Sequence, residues 1–167
     1  MYNRKAAVLY AKEYALKPNP KYRYFSLEHT GGDCTNFVSQ CLLAGGAPLI
    51  YNREHSWWYN SKNTANVMDD SWSLSWAIAH SFYWFLKVNE EKNLKGAKGR
   101  EVKDVNLLEL GDLVFFQNTK GTIYHSSIIT DFLGNVPLIS QHTFEALNIP
   151  YHKNWIAHKI HLLKISI

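Results

Sequence analysis

The sequence predicts an α+β fold, with a helical N-terminal part and an antiparallel β-sheet in the C-terminal part. Apolar residues recur with helical spacing in the first half of the chain, whereas short runs of β-branched and aromatic residues follow in the second half. With 167 residues, of which 46% are hydrophobic and 19% charged, the chain suits one globular domain with a substantial core. We therefore expect a single domain over residues 1–167.

Two helices are expected near the N-terminus. The first covers Asn3 to Leu16, where Asn3 is a suitable N-cap and Pro18 prevents the helix from continuing. The second follows a turn at Thr30-Gly31-Gly32-Asp33, runs from Cys34 to Ala44 and ends at Gly45-Gly46. Cys34 therefore falls in the first turn of this helix.

The remainder is predicted as an irregular segment, a third helix, a loop and several strands. The irregular segment covers Pro48 to Asp70, and the third helix covers Ser75 to Val88. The charged stretch Lys92 to Lys103 is predicted to be an exposed loop. Strands are expected at runs bounded by Gly, Asn and Pro, namely Leu113–Phe116, Tyr124–Phe132, Leu138–Thr143 and Ile156–Ile165.

Charge and hydropathy exclude several classes of partner. The formal charge is +4, and the basic residues are scattered without the stripe or motif of a nucleic-acid-binding protein. No apolar run approaches the ~18 residues of a membrane-spanning helix. The N-terminal residues lack the apolar stretch of an export signal, so we expect a cytoplasmic protein or a domain of a longer exported one. The oligomeric state is left open.

Cys34 is the candidate nucleophile. Gly31 and Gly32 allow a sharp turn before it and leave room for a ligand beside the backbone. Unpaired N–H groups and the dipole at a helix start favour a thiolate, so we expect the pKa of the Cys34 thiol to fall. The same N–H groups can stabilise an oxyanion. Cys41 lies in mid-helix and is predicted to be a packing residue, ~10 Å from Cys34 and too distant for a disulfide.

His125 is the candidate base, because it begins a predicted strand among apolar neighbours that would partly desolvate it. A two-residue hairpin turn at Gly134-Asn135 would pair Ser127 with His142 and place His142 ~7 Å from His125 on the same face. Gln141 would then point to the other face, whereas a turn with an odd number of residues would exchange the two. His142 is therefore the preferred third member, with Gln141 as the alternative.

His158 and His161 have a spacing that suggests a metal site. On a strand, however, their side chains would face opposite ways, and no further Cys, Asp or Glu completes a ligand set near them. We therefore predict no metal and no cofactor.

The tryptophans are divided between core and surface. Trp57 and Trp58 cannot both face inward on an extended segment, so one of them is a candidate for substrate contact. Trp76 and Trp84 have helical spacing and are expected in the core.

Several runs, in this order, match the pattern of one family. They are Tyr2–Val8 at the start, Gly32–Gln40 with the sequence GDCTNFVSQ, Gly111–Phe116 with GDLVFF, His125, and Ser140–Thr143 with SQHT. Across nearly its whole length the chain resembles the Putative amidase domain family, which is related to the NlpC-type peptidases and CHAP amidases of the papain-like superfamily.

The resemblance implies a papain-like fold in which a helix carrying the cysteine packs against a small antiparallel sheet carrying the histidine. By position, Cys34 would be the nucleophile, His125 the base and His142 the third member, with Asp33 and Gln141 as auxiliary residues. The implied activity is hydrolysis of an amide bond in a peptide or murein-derived substrate through a thioester acyl-enzyme. No cofactor is implied.

Two departures from the family pattern bear on activity. Glu28 stands where papain has the glutamine that helps to form its oxyanion hole, and Ser126-Ser127 replace the more usual residues after the base. An inactive module that binds glycopeptide with the same fold is therefore the alternative function. Hydrolysis and acyl transfer share the acyl-enzyme, so the sequence leaves the choice between them open.

Overall fold

The computed structural model describes residues 1–64, 66–153 and 156–167. In chain order its helices and strands are α1 Arg4–Tyr14, α2 Leu27–Thr30, α3 Cys34–Ala44, β1 Ile50–Tyr51, β2 Ser56–Trp57, β3 Tyr59–Asn60, β4 Ser71–Trp72, α4 Leu74–Ala77, α5 Ala79–Glu91, β5 Lys98–Val102, β6 Leu113–Gln117, β7 Ile123–Leu133, β8 Val136–Gln141, β9 Ala146–Pro150 and β10 Lys159–Ser166. Short 3-10 helices cover Val67–Asp69 and Val105–Leu107. The α+β class is thus confirmed.

One antiparallel sheet of six strands forms the frame, in the spatial order β5-β10-β6-β7-β8-β9. The pairs β1-β2 and β3-β4 form two small separate ribbons. Because β6, β7 and β8 are consecutive neighbours, the runs that contain Gly111–Phe116, His125 and Gln141 lie side by side.

The first and second predicted helices are confirmed. Asn3 caps α1, because its side-chain oxygen accepts the N–H of Ala6 at 3.0 Å. Helix α3 has the predicted limits, and the chain turns away at Gly45. Local turn residues decide both boundaries, which is why they could be read from the sequence.

Other predicted elements are wrong in their extent. The expected loop Lys92–Lys103 contains β5. Its charged residues form an edge strand, because β10 pairs with the backbone of β5 on one side and the other side stays open. The expected helix Ser75–Val88 is divided at Ile78, which has extended backbone angles. The last strand begins at Lys159 instead of Ile156. Strand β9 and the short strands between residues 50 and 60 were not predicted.

Two of the sequence runs singled out above, Tyr2–Val8 and Gly111–Phe116, meet in space. The Tyr2 hydroxyl donates a hydrogen bond of 2.9 Å to the carbonyl oxygen of Gly111. Arg4 donates to the buried carboxylate of Asp112 at 2.6 Å. Asp112 also accepts the N–H of Ile165 on β10 at 2.9 Å. These contacts fix α1 to the sheet and explain two of the sequence motifs as structural.

The six-stranded sheet has two buried faces. The helix-side face packs against α1, α3 and α5, and its sheet residues include Leu113, Phe115, Ile128 and Leu163. The outer face carries Val114, Phe116, Ile129, Ile139 and Leu162. It is covered by Val105 and Leu108 of the 3-10 helix and the residue after it, and by Tyr151 and Ala157 after β9. Alternate residues of a strand face opposite sides, so one step along β7 or β8 changes the environment of a side chain completely.

Within the described ranges, no helix has both the length and the apolar character needed to cross a membrane.

Candidate active site

Cys34 is the first residue of α3 and is 6% exposed. It opens onto a cavity of about 190 Å³ whose other lining residues are Gly31, Gly32, Thr35, Ala77, Ile78, Ala79, Ile123 and Tyr124. None of these lining side chains is charged. The cavity is therefore small, close to the sulfur, and bounded by methyl groups and bare glycine backbone.

The thiol of Cys34 contacts the hydroxyl groups of two neighbouring residues. Its sulfur lies 3.7 Å from Oγ1 of Thr35, which in turn is 3.1 Å from Oγ of Ser126 on β7. Burial raises the pKa of the Cys34 thiol, and hydrogen bonds from Ser126 and Thr35 offset this only in part. The expectation of a lowered pKa is thus wrong for this structure, because loss of solvation outweighs the helix start.

Asp33 precedes Cys34 at the N-cap position, but its side chain does not cap α3. Its Oδ1 accepts the N–H of Phe25 at 2.9 Å and Nδ2 of Asn36 at 2.8 Å. Its Oδ2 contacts Nδ1 of His142 at 2.5 Å. The carboxylate therefore ties three segments of the chain together directly behind the nucleophile.

Thr143 holds the backbone at the same point. Its Oγ1 accepts the N–H of Asp33 at 2.7 Å. A Cβ added at Gly32 would come within 2.8 Å of this oxygen, and Gly32 has a φ of +104°. Glycine is required at position 32 for both reasons, so the turn before Cys34 depends on its sequence.

His125 pairs with Gln141, not with His142. Nε2 of His125 and Oε1 of Gln141 are 2.9 Å apart, and Nε2 of Gln141 donates to the carbonyl oxygen of Phe144 at 3.1 Å. Because the amide nitrogen is used in that second bond, the ring must donate its Nε2–H to Gln141. Burial lowers the pKa of His125 to about 3, so the ring is neutral at ordinary pH.

The ring of His125 is on the outer face of the sheet. His125 is the ladder partner of Phe116, an outer-face residue, and the two rings lie 5.5 Å apart. Ser126, the next residue, pairs with Phe115 on the helix-side face and reaches Thr35. Cys34 thus contacts Thr35 and Ser126, and His125 is not among the described contacts of its sulfur.

A bulge in β7 explains why Gln141, and not His142, is the residue that pairs with His125. The predicted turn is confirmed, since Leu133 pairs with Val136 across Gly134-Asn135. The register then shifts past Thr130, and Ile128 pairs with Ser140. Continued in this register, Ser127 lies opposite Gln141. One extra residue in β7 has the effect that an odd-numbered turn would have had.

His142 consequently faces the helices. Its ring stacks on Phe37 of α3 with centroids 4.2 Å apart, and Nε2 contacts the carbonyl oxygen of Tyr14 at 2.8 Å. With Nδ1 on Asp33, both ring nitrogens are engaged. The expectation that His142 orients His125 is therefore wrong, because the two rings lie on opposite faces of the sheet.

The remaining candidates are placed as follows. Trp57 is fully buried and its Nε1–H donates to Ser39 at 3.1 Å, so a substrate contact by this residue is ruled out. Trp58 is half-buried, stacks on Tyr51 and does not line the Cys34 cavity. Trp76 is buried as expected, whereas Trp84 is 49% exposed on α5 and not in the core.

Two further histidine and cysteine assignments concern the core. Cys41 is fully buried, as predicted for a packing residue. His161 is bonded to Glu101 at 2.7 Å and to Gln117 at 3.0 Å, which gives it protein partners on both nitrogens. Over the part of the chain that the structure describes, no group of three His, Cys, Asp or Glu could hold a metal ion.

Thr35, Ser126 and Thr143 were not singled out by sequence reasoning. Ser126 was noticed as an unusual residue after His125, which was the available signal, but its direction depends on the bulge in β7.

Comparison with known proteins gives a family. The family described as Putative amidase domain matches residues 1–164. The chain belongs to this family. It is 36% identical to the Uncharacterized protein YhbB of Bacillus subtilis (strain 168) over 149 residues, 87% of this chain and 42% of that protein. It is 32% identical to the Uncharacterized protein YjcM of the same strain over 158 residues, 89% of this chain and 32% of that protein.

The chain thus spans less than half the length of these two relatives. No solved structure gave a significant match. Membership of the family supports amide hydrolysis in general and leaves the mechanism to be argued from the site.

Proposed function

We propose that this domain is a cysteine-dependent amide-bond hydrolase on a papain-like scaffold, with Cys34 as its nucleophile. The observation that carries the proposal is the position of Cys34 at a helix start, open to a cavity with glycine backbone on one side. A carbonyl group in that cavity would lie beside the sulfur and the unpaired N–H groups of the first turn. Membership of an amidase family supplies the reaction class.

The reaction would proceed in two steps. The Cys34 sulfur forms a bond to the carbonyl carbon, its proton passes to a base, and the amide C–N bond breaks as the amine takes that proton. Water then attacks the thioester, releasing a carboxylic acid and restoring the thiol. An amine in place of water would give acyl transfer through the same intermediate.

The cavity limits the group that can lie next to the reacting bond. At about 190 Å³ it is smaller than the ~300–1,000 Å³ of a drug-sized site, and none of its lining side chains is charged. We therefore propose a small, uncharged side chain at this position of a peptide or murein-derived amide. Ala77 and Ile78 form the wall on the α4 side.

His125 is the proposed base, and this role requires a local change. In its present place the ring is on the wrong face and, with a pKa of about 3, is a weak base. Tyr124 is the extra residue of a bulge, since Ile123 pairs with Gln117 and His125 with Phe116. Moving this bulge by one residue would turn His125 to the Cys34 face and leave the pairing of Ser126 intact.

The test of the proposal is hydrolysis of purified murein fragments, followed by mass spectrometry. Wild-type protein should release new fragments, and Cys34→Ala should release none. Cys41→Ala is the matched control, because it removes a buried thiol from the same helix and should retain the activity. Equal product formation by wild type and Cys34→Ala would refute the nucleophile.

His125→Ala tests the base separately. Loss of product formation in a folded His125→Ala sample supports the required change in β7. Full activity in that variant would remove His125 from the mechanism and leave Cys34 in it.

A second function, binding without cleavage, is favoured by one observation. Burial raises the pKa of the Cys34 thiol, and this disfavours a thiolate in the free protein. In that case wild-type protein would retain the fragments uncut, and a bulky residue at Ala77 would abolish retention.

A further inference from the structure

The side chains of His142 and Asp33 form a hydrogen-bonded pair that is almost fully enclosed beside the start of α3. Both side chains are 1% exposed. The pair joins three elements, because His142 follows β8, Asp33 directly precedes α3, and Tyr14, whose carbonyl oxygen contacts His142, is the last residue of α1. The proposed mechanism gives this pair no role.

The hydrogen-bond partners of His142 show which of its two ring nitrogens carry a proton. The carbonyl oxygen of Tyr14 only accepts, so Nε2 of His142 must carry a hydrogen to bond it at 2.8 Å. Nδ1 faces Oδ2 of Asp33 at 2.5 Å. If Nδ1 were unprotonated beside an ionised carboxylate, two lone pairs would face each other at that distance. A proton must therefore lie between Nδ1 and Oδ2.

The other oxygen of Asp33 favours the ionised form of the carboxyl group. Oδ1 accepts two N–H donors, from Phe25 and Asn36, at 2.9 and 2.8 Å. Donors of this kind stabilise a carboxylate relative to the neutral acid. The proton between the partners is therefore assigned to the imidazole, and the pair is an imidazolium with a carboxylate.

We propose that His142 is a positioning residue, held as an imidazolium by its hydrogen bonds, which acts on Cys34 through Asp33. Because both nitrogens donate, the ring has no lone pair with which to accept the proton of a thiol or to orient a base. Its charge holds the Asp33 carboxylate in place. Asp33 in turn fixes the peptide that leads directly into Cys34, together with Thr143, which accepts its N–H.

Among the described residues, two ionisable side chains lie close enough to feel the charge of Asp33. They are the Cys34 thiol on α3 and Tyr24 in the segment before α2, whose ring is 6.0 Å from that of His142. The Tyr24 hydroxyl donates to Glu145 at 2.5 Å, on the exposed side. Phe37 covers the opposite face of the imidazole. Asp33 is thus the charge that sets the state of His142.

NMR of the imidazole nitrogens in the wild-type protein tests whether His142 is an imidazolium. In a ¹⁵N-labelled sample at neutral pH, both nitrogens of His142 should show protonated shifts, with attached hydrogens that exchange slowly. His125 is the internal reference, since its neutral ring should show one protonated and one unprotonated nitrogen. An unprotonated nitrogen on His142 would overturn the proposal.

The positioning role has a second readout that needs no substrate. Alkylation of Cys34 should change by about tenfold or more in His142→Asn, because the helix start is no longer held. Tyr24→Phe, which alters a neighbour without touching the pair, should change the rate little. Equal rates in wild type and a folded His142→Asn sample would show that the pair does not position Cys34. The NMR measurement on wild-type protein stands even if His142→Asn does not fold.

Discussion

His125 lies on β7 and His142 directly follows the adjacent strand β8, and both are buried, yet the two rings differ in charge and lie on opposite faces of one sheet. His125 donates to the neutral amide of Gln141 and is itself neutral. His142 donates to the carboxylate of Asp33 and to a carbonyl oxygen, as a cation. Burial is the same in both places, so the partner decides the charge.

The difference follows from the cost of removing a charge from water. A neutral amide cannot compensate an imidazolium for lost solvation, so the pKa of His125 falls. A carboxylate held by two further N–H donors can compensate it. The two histidines are therefore in different states: the neutral ring of His125 would need the change in β7 before it could accept a proton from Cys34, whereas the charged ring of His142 holds the backbone.

Removing the carboxylate should have the largest effect. Asp33→Asn leaves a buried imidazole facing an amide group, and breaking a buried pair in this way costs about 3–5 kcal/mol of unfolding free energy. Urea denaturation measures the loss. Asp131→Asn is the control, since its exposed pair with Lys12 at 3.2 Å should leave the midpoint nearly unchanged. Similar small shifts in both variants would contradict the ion pair at His142.

The stability of the protein should fall in acid because of His125. The pKa of His125 in the folded protein is about 3, below its usual value of 6.5, so protons bind the unfolded chain more readily. The stability that this ring contributes is present above pH 6.5 and is lost progressively as pH falls towards 3. His125→Gln should show a shallower loss over the same range in urea titrations. Identical slopes would indicate that His125 is not the buried neutral ring described.

Gly32 allows a smaller and more local test of the turn before Cys34. In Gly32→Ala the new Cβ would lie 2.8 Å from Oγ1 of Thr143, at a position whose φ is +104°. We therefore expect a loss of about 1–3 kcal/mol in the free energy of unfolding. Gly31→Ala has a φ of +80° but open space around the new Cβ. The first variant should therefore unfold at lower urea than the second. The reverse order would mean that Thr143 does not pack against this turn.

One substitution should reduce the difference in charge between His125 and His142. Gln141→Glu gives His125 a carboxylate partner, and an opposite charge at hydrogen-bond distance raises a histidine pKa, here by about 1–3 units. NMR titration of the His125 ring would measure the rise. Gln141→Leu is the control, because it removes the bond without adding charge. A pKa that stays near 3 in Gln141→Glu would show that burial alone fixes the state of His125.

The sequence predicted those parts of the site that depend on local residues. The start of α3 at Cys34 and the hairpin turn at Gly134-Asn135 follow from glycines and turn residues nearby. The bulge at Thr130 could not be predicted. Its hydroxyl bonds to Ser140 and Asn148, at 2.6 and 2.8 Å, which are distant in sequence.

The bulge at Thr130 exchanged the faces of the sheet on which the side chains of Gln141 and His142 lie. The bulge at Tyr124 decided the face on which the ring of His125 lies. Side-chain direction along a strand alternates, so every inference beyond a bulge is inverted by it. The thiol pKa was also mispredicted, because the degree of burial of Cys34 depends on how α4, α5 and β7 close around it.

The separation of Cys34 from His125 by the sheet is tested most directly by alkylation of Cys34 as a function of pH. A Cys41→Ala background leaves one thiol, and intact mass spectrometry follows its reaction with iodoacetamide. Since burial raises the thiol pKa and the imidazole lies on the other face, the rate should rise only above the ordinary thiol value of ~8.5. The His125→Ala profile should be the same. A rate that already rises below neutral pH, and that moves to higher pH in His125→Ala, would contradict the arrangement by placing the ring beside the thiol in the free protein.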